Sequence, residues 1–185
     1  MRLLEGKNVN LRSMEKDDVD LLVECRNDID FKGEYSPIGE QISKSELMKR
    51  FDNPSNLTIL TESTDFTIQK KDGTRIGIIT HLINQPNRTM EIGCSLVPSE
   101  RGKGYGAEAT QLMVDYLFLS KTIVRIQADT NARNKAAQKT LEKAGFKIEG
   151  TMRKLRFVRG VWNDYCLYSI LREEWKEPEI LTKTT

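Results

Sequence analysis

Seven consecutive residues, Arg101-Gly102-Lys103-Gly104-Tyr105-Gly106-Ala107, constrain this chain more than any other stretch. The run before them, Met90 to Val97, alternates like a strand and closes at Pro98, which has no N–H to give a ladder. After them Ala109, Met113, Tyr116 and Leu117 recur at helical spacing. The chain therefore turns from strand into helix through glycines that carry no Cβ, so the amides of the turn can point together at one anion. The first turn of the helix adds unpaired N–H groups and a partial positive end, which favours a phosphate or pyrophosphate. Arg101 and Lys103 add full charges. A tight turn that only packs the helix on its strand needs the same glycines, so the motif alone leaves that reading open. It is neither the G-x-x-x-x-G-K-[ST] of a P-loop nor the G-x-G-x-x-G of a Rossmann turn.

The remaining pattern extends this unit into an α/β domain. Val9-Asn10-Leu11-Arg12 alternates as a first strand, and Leu21, Leu22 and Cys25 follow at helical spacing behind Glu15, Asp17 and Asp18. Ser43-Lys44-Ser45-Glu46 has capping-box spacing before Leu47, Met48 and Phe51, and Asn53-Pro54 ends this second helix. Between the two helices, Phe31 to Gln41 reads as loop. Phe66 to Gln69 and Ile76 to Ile79 flank Lys71-Asp72-Gly73-Thr74, where Asp-Gly supplies the positive φ angles of a hairpin turn. Val124 to Ala128 is a further strand. Asn134 caps a helix whose Ala137, Leu141 and Ala144 share one face until Gly145 stops it. Thr151 to Val158 and Val161 to Leu171 close the chain as two strands joined at Arg159-Gly160. The order β-α-α-β-β-β-α-β-α-β-β gives a mixed sheet with antiparallel middle strands and a crossover helix after the glycines. No repeat or linker divides it, so residues 1–176 read as a single domain and residues 177–185 as a tail.

Composition excludes several classes. The length of 185 residues suits one domain, and 38% hydrophobic with 30% charged residues is neither disordered nor membrane-embedded. Twenty-nine Lys+Arg against 27 Asp+Glu give a net charge of +2, too balanced for non-specific binding of nucleic acid. No run approaches the roughly 18 apolar residues of a membrane span. The start, Met-Arg-Leu-Leu-Glu-Gly-Lys, gains charge before an apolar run develops, so neither membrane anchoring nor secretion is expected. Cys25, Cys94 and Cys166 lie far apart with no C-x-x-C pair, which points to a reducing cytoplasm and to no disulfide framework or zinc site. His81 is the single histidine, so no metal centre is expected.

With these features in place the chain resembles the GNAT superfamily of N-acetyltransferases. The run from Arg101 to Ala107 matches its [Q/R]-x-x-G-x-[G/A] signature, with Glu91-Ile92-Gly93 and Pro98 before it. Asn134, Lys143-Ala144-Gly145-Phe146 and Glu149-Gly150-Thr151-Met152-Arg153 follow in order. The closing Gly160-Val161-Trp162-Asn163-Asp164 through Tyr168, with Leu171-Arg172-Glu173-Glu174-Trp175, looks like the RimJ/RimL-type branch. The resemblance implies a mostly antiparallel sheet splayed at the cofactor site and flanked by about four helices. It implies acetyl-CoA as cosubstrate, with its pyrophosphate on Arg101, Gly102, Lys103, Gly104, Tyr105, Gly106 and Ala107. Leu96 and Val97 would line the pantetheine arm, as would Asn134, whose residue type also makes a plain helix cap.

The implied reaction is direct attack of an amine on the thioester, with a base to take the proton and backbone donors for the oxyanion. Many members carry a Tyr that protonates the departing thiolate, and some RimL-type members a Ser; here those places hold Leu141 and Ala137. Glu91 and Asp129 are the candidate bases, while Cys94 and Ser95 lie close by. Glu34 and Tyr35 are candidate amine-binding residues, with Phe31 beside them, and Trp162 and Asp164 read as an aromatic plug and a turn acid. An α-amino group of pKa about 7.8 is about one-third neutral at pH 7.5, against about one part in a thousand for lysine, so a poorly equipped site favours an α-amine. The acceptor is thus a protein N-terminus, as in ribosomal-protein acetylation, or a small-molecule amine. A catalytically inactive acyl-CoA-binding module is the alternative, and a plain nucleotide-binding domain a third reading. The exposed edge of the C-terminal hairpin leaves room for a homodimer.

Overall fold

Alternating apolar and polar residues form eight strands: β1 (Leu4–Glu5), β2 (Val9–Ser13), β3 (Ser63–Lys70), β4 (Arg75–Asn84), β5 (Thr89–Leu96), β6 (Arg125–Asn131), β7 (Lys147–Val158) and β8 (Val161–Leu171). The helices are α1 (Val19–Asn27), α2 (Ile29–Lys32), α3 (Lys44–Asp52), α4 (Tyr105–Ser120) and α5 (Lys135–Lys143). This computed structural model describes residues 4–36, 41–52, 63–84, 89–176 and 178. All eight strands join one sheet in the order β1-β2-β3-β4-β5-β6-β8-β7.

Every neighbouring pair is antiparallel except β5 and β6, because the α4 crossover returns the chain in the direction it left. That parallel ladder is short: Thr89 faces Arg125, Met90 faces Ile126 and Glu91 faces Gln127. Beyond Glu91 the two strands part, β5 continuing along β4 to Leu96 and β6 along β8 to Asn131. The gap that opens between them is the feature that positions the site.

Helices cover both faces. On one, α4 and α5 bury Leu112, Met113, Leu117 and Leu141 against Ile79, Met90 and Ile126. Each such side chain contributes about 1.5–3 kcal/mol. On the other, α1 and α3 pack Val19, Leu22 and Leu47 with Ile78, and α2 adds Phe31 beside Leu21, Cys25 and Val97. Local signals fix the ends: Ser43 Oγ accepts the Glu46 N–H at 3.1 Å, and Asn134 Oδ1 accepts the Ala137 N–H at 3.1 Å. The start of α1 rests on Asp18, fully buried and held by Arg12 at 2.6 and 2.8 Å and by the Glu15 N–H at 2.8 Å. Burial pushes its carboxyl up, but the bonds from Arg12, Glu15 and Thr67 outweigh it and hold it at about 2.

Some local expectations are corrected. At Asp72-Gly73 only Gly73 has a positive φ, +87°, with a register shift at Ile68/Gln69, so the turn is a bulged one rather than a two-residue mirror turn. The mirror turn is at Arg159-Gly160, where φ is +48° and +85°. Phe31 and Lys32 belong to the single helical turn α2, not to loop, because Phe31 is 2% exposed and pulls the segment onto the sheet. β7 begins at Lys147, ahead of Thr151, since β8 offers partners to Lys147, Ile148 and Gly150 as well. Asn53-Pro54, and the tail apart from Pro178, lie outside the described residues.

Candidate active site

The glycine turn is built as its residues require. Gly102 and Gly104 have φ of +76° and +90°, and a Cβ at either would meet nothing within 4 Å, so the outer side of the turn is open. Gly104 caps α4, whose first internal bond runs from the Glu108 N–H to Gly104 O at 3.2 Å. The amides of Tyr105, Gly106 and Ala107 precede it and have no acceptor within the helix. Gly106 packs inward, where a Cβ would lie 3.5 Å from Thr140 of α5 and 3.6 Å from Leu96. The result is a set of free donors with a closed back and an open front, which fits a pyrophosphate. Lys103 sits at the rim, its Nζ 2.9 Å from Glu100 Oε2.

The edge of β5 supplies the second element. The Val97 N–H bonds Ile76 O at 2.9 Å, and the antiparallel alternation then turns the N–H and C=O groups of Ile92, Cys94 and Leu96 away from β4 and into the gap. Gly93, Cys94 and Ser95 are exposed there. An edge of this kind pairs with an extended amide chain such as pantetheine. Leu96 borders the gap, whereas the Val97 side chain packs with Phe31. Asn134 uses Oδ1 as the cap of α5, and that bond leaves its Nδ2 over for a ligand.

Arg101 departs from expectation. Its Nε donates to Leu96 O at 3.0 Å and its Nη2 to Phe31 O, so the guanidinium lies between the end of β5 and α2 rather than over the glycines.

Glu91 and Asp129 share one face of the sheet, on the α1–α2 side, but differ in surroundings. Glu91 stands at the last paired position before the gap and accepts from Gln127 Nε2 at 3.5 Å. Asp129 holds Arg156 Nη2 at 2.7 Å, and that guanidinium lies 5.1 Å from the centre of the Tyr165 ring. Glu34 forms an ion pair with Arg133 at 3.6 Å, and Arg133 lies 5.9 Å from the Tyr35 ring, so both amine-side candidates carry a cation already. The Tyr165 hydroxyl donates to Tyr35 O at 3.2 Å. Arg125 binds Glu149, and with Ser169 it holds that carboxyl at about 2.

Arg125, Arg133, Arg156, Arg159 and Tyr165 are functional candidates that sequence reasoning missed. Their partners lie up to 130 residues away, and no local pattern marks them. Leu141 is buried in the core and Ala137 offers only its capped amide, so neither replaces the acid of relatives. Cys94 is exposed on the free edge of β5, and among the described residues no charged group acts on it to favour its thiolate, the one effect being a loss of solvation that raises the thiol. His81 is buried between Phe66 and Tyr116. Trp162 is 60% exposed against Phe157, so it is no plug, and Asp164 is a β8 strand residue rather than a turn acid, accepting the Lys154 N–H at 2.8 Å where the β7 register shifts. A hollow of about 370 Å³ lined by Phe118, Lys121, Ile123 and Arg172 lies at the far end of α4 and touches none of these groups. Among the described residues, no group of three or more His, Cys, Asp and Glu is placed to hold a metal, and no helix is long and apolar enough to cross a membrane.

Comparison with known proteins shows the family and the fold. The family model of the acetyltransferase (GNAT) domain matches residues 8–147. The chain is 31% identical to the probable N-acetyltransferase YjcK of Bacillus subtilis, covering 93% of this chain and 98% of the relative. It is 29% identical to the uncharacterized N-acetyltransferase p20 of Bacillus licheniformis, covering 95% and 99%. The spermidine N-acetyltransferase of Vibrio cholerae, solved with CoA and spermine, superposes with a TM-score of 0.77 at 22% identity, covering 90% and 96%. The ribosomal-protein-S5-alanine acetyltransferase of Vibrio fischeri gives 0.77 at 22% identity, covering 95% and 100%. At that identity the two structures speak for the fold.

Proposed function

The chain belongs to the acetyltransferase (GNAT) family, and from that premise we propose that it moves the acetyl group of acetyl-CoA to the α-amino group of a peptide or to another amine of low pKa. The charge pattern of the amine face carries this reading. Glu34, Asp129 and Glu149 each hold an arginine, respectively Arg133, Arg156 and Arg125. A polyamine brings several positive charges and needs carboxylates that are not already matched, whereas a single amine does not. Of the acceptors in the relatives' names, the alanine of a ribosomal protein therefore fits better than spermidine.

Acetyl-CoA supplies a thioester whose C–S bond breaks as the amine nitrogen bonds the carbonyl carbon. The amides of Tyr105, Gly106 and Ala107, with the glycine turn, bind its pyrophosphate, and the edge of β5 from Ile92 to Leu96 aligns the pantetheine arm. The gap-facing N–H groups of that edge are donors for the oxyanion. Glu91, at the mouth of the gap on the amine side, takes the proton of the amine through a water. Asp129 is tied to Arg156 and holds the wall in place instead. With Leu141 and Ala137 at the familiar acid positions, the sulfur leaves as a thiolate of ordinary pKa, about 8.5, and takes its proton from solvent.

Two measurements test this. Glu91→Gln is expected to lower kcat about 30-fold or more while the Kd for acetyl-CoA holds; unchanged kcat removes Glu91 as the base. In a panel of an alanine-initiated peptide, spermidine and Nα-acetyl-lysine amide, the peptide is expected to be fastest from pH 6 to 9. Faster transfer to either of the others would overturn the α-amine assignment.

A further inference from the structure

The segment from Ile29 to Tyr35 runs across the mouth of the gap, and its backbone carbonyls are its points of attachment. On the far side Arg159 Nη2 reaches Ile29 O at 3.5 Å and Gly33 O at 3.3 Å, and the Tyr165 hydroxyl reaches Tyr35 O at 3.2 Å. These hold the segment to the β7–β8 hairpin. On the near side Arg101 does the corresponding work. Its Nε is 3.0 Å from Leu96 O, its Nη2 bonds Phe31 O, and its guanidinium carbon lies 5.9 Å from the centre of the Phe31 ring. A Cβ on Gly33 would meet Arg101 Nη1 at 3.5 Å, so the side chain is wedged beneath the turn. Phe31, 2% exposed, anchors the same point by packing on Leu21, Cys25 and Val97.

Arg101 is the first residue of the cofactor turn, yet its side chain is spent on the amine side. The C-terminal carbonyls of a single helical turn have no internal partner and carry partial negative charge, so a guanidinium that reaches two carbonyls from different elements joins them rigidly. We infer that Arg101 is a positioning residue for the amine site: it fixes α2 and Gly33 to the end of β5, so that the acceptor wall is set by the cofactor turn, and it is not a ligand of the pyrophosphate. This rests on the proposed acetyl-CoA site, and the experiment below separates the two.

Arg101→Ala, Arg101→Lys and Arg159→Ala are compared with wild type, with thermal unfolding to confirm that each folds. The readouts are the Kd of acetyl-CoA by calorimetry and amide hydrogen exchange over residues 29–35 in the ligand-free protein. Wild type that fails to bind acetyl-CoA contradicts the proposed function and leaves the exchange arm to decide this inference. The inference predicts that Arg101→Ala keeps the Kd within about three-fold, speeds exchange over 29–35 about ten-fold, and raises the KM of a peptide amine while kcat holds. Arg159→Ala is expected to speed the same amides from the other side. Arg101→Lys, which keeps the charge and loses the fork, should recover part of the protection and so keeps the test informative where the alanine variant does not fold. A Kd weakened about ten-fold or more, with exchange over 29–35 unchanged, would overturn it and return Arg101 to the pyrophosphate.

Discussion

The two sides of the gap are made of different materials. The cofactor side, β5 with the glycine turn and the start of α4, presents main-chain groups whose directions follow from glycine φ angles and strand register. The amine side, α1–α2 facing β6 to β8, is assembled from long side chains, chiefly the arginines 125, 133, 156 and 159, bonded to distant carboxylates and carbonyls. A backbone-made site tolerates almost any side chain that leaves the backbone alone. A side-chain-made site changes its specificity with one substitution. The contrast suits a fold that keeps one cosubstrate and varies the acceptor.

The largest effect expected from this contrast is on the cofactor side, where one carbon suffices. Gly77 of β4 lies so close to β5 that a Cβ would stand 2.2 Å from Ser95 O and 3.0 Å from the Leu96 Cα. Gly77→Ala should cost about 3 kcal/mol or more in a denaturant melt, because backbone must move; a loss under about 1 kcal/mol would mean that the β4–β5 ladder is not rigid.

Ahead of α1 and near the start of β7 the dependence is ionic. Asp18 is held at about 2 against about 3.9 in the unfolded chain, so its contribution is complete above about pH 5 and is lost as the pH falls toward 2. That shift is worth about 2–3 kcal/mol. Glu149, also held at about 2, titrates in the same window and adds to the trend. Urea melts from pH 6 to pH 2 should therefore lose stability from about pH 5 downward, and Asp18→Asn should flatten that slope. An unchanged slope would place the acid sensitivity elsewhere.

Arg156→Ala is expected to sharpen the contrast further. It frees Asp129 and so adds a second carboxylate without a cation beside Glu91, and relative activity toward spermidine should rise about ten-fold while the Kd of acetyl-CoA holds. Equal loss for all amines would mean that Arg156 shapes the wall and does not tune its charge. The smallest effect belongs to Asn134. Asn134→Asp keeps the cap acceptor and removes Nδ2, whereas Asn134→Ala removes both. The alanine variant should lose about 1 kcal/mol of stability. If both variants bind acetyl-CoA like wild type, Asn134 is a cap alone.

The same division explains what the sequence made legible. The turn from Arg101 to Ala107, the strand ended by Pro98 and the Asn134 cap are local, and each residue type carries its own reason for being there. The main run of strands and longer helices was readable for that reason. The amine side was not: nothing near Arg156 in sequence announces Asp129, and nothing near Tyr165 announces Tyr35. Glu34 looked like a free carboxylate because Arg133 lies 99 positions on, at a distance only the fold closes. Arg101 shows the limit from the other direction. Its place beside the glycines suggests an anion partner, and no local pattern shows that its guanidinium reaches the carbonyls of Leu96 and Phe31.

The central claim is that main-chain groups of the glycine turn hold acetyl-CoA. Calorimetric titration of wild type and Gly104→Glu with acetyl-CoA, ATP and NAD tests it most directly, since a carboxylate at Gly104 would project into the open front where the pyrophosphate belongs. The account predicts selective binding of acetyl-CoA by wild type and a loss of at least about 100-fold in the variant, about 2.7 kcal/mol. Equal binding by the variant, or tighter binding of ATP or NAD by wild type, would contradict it.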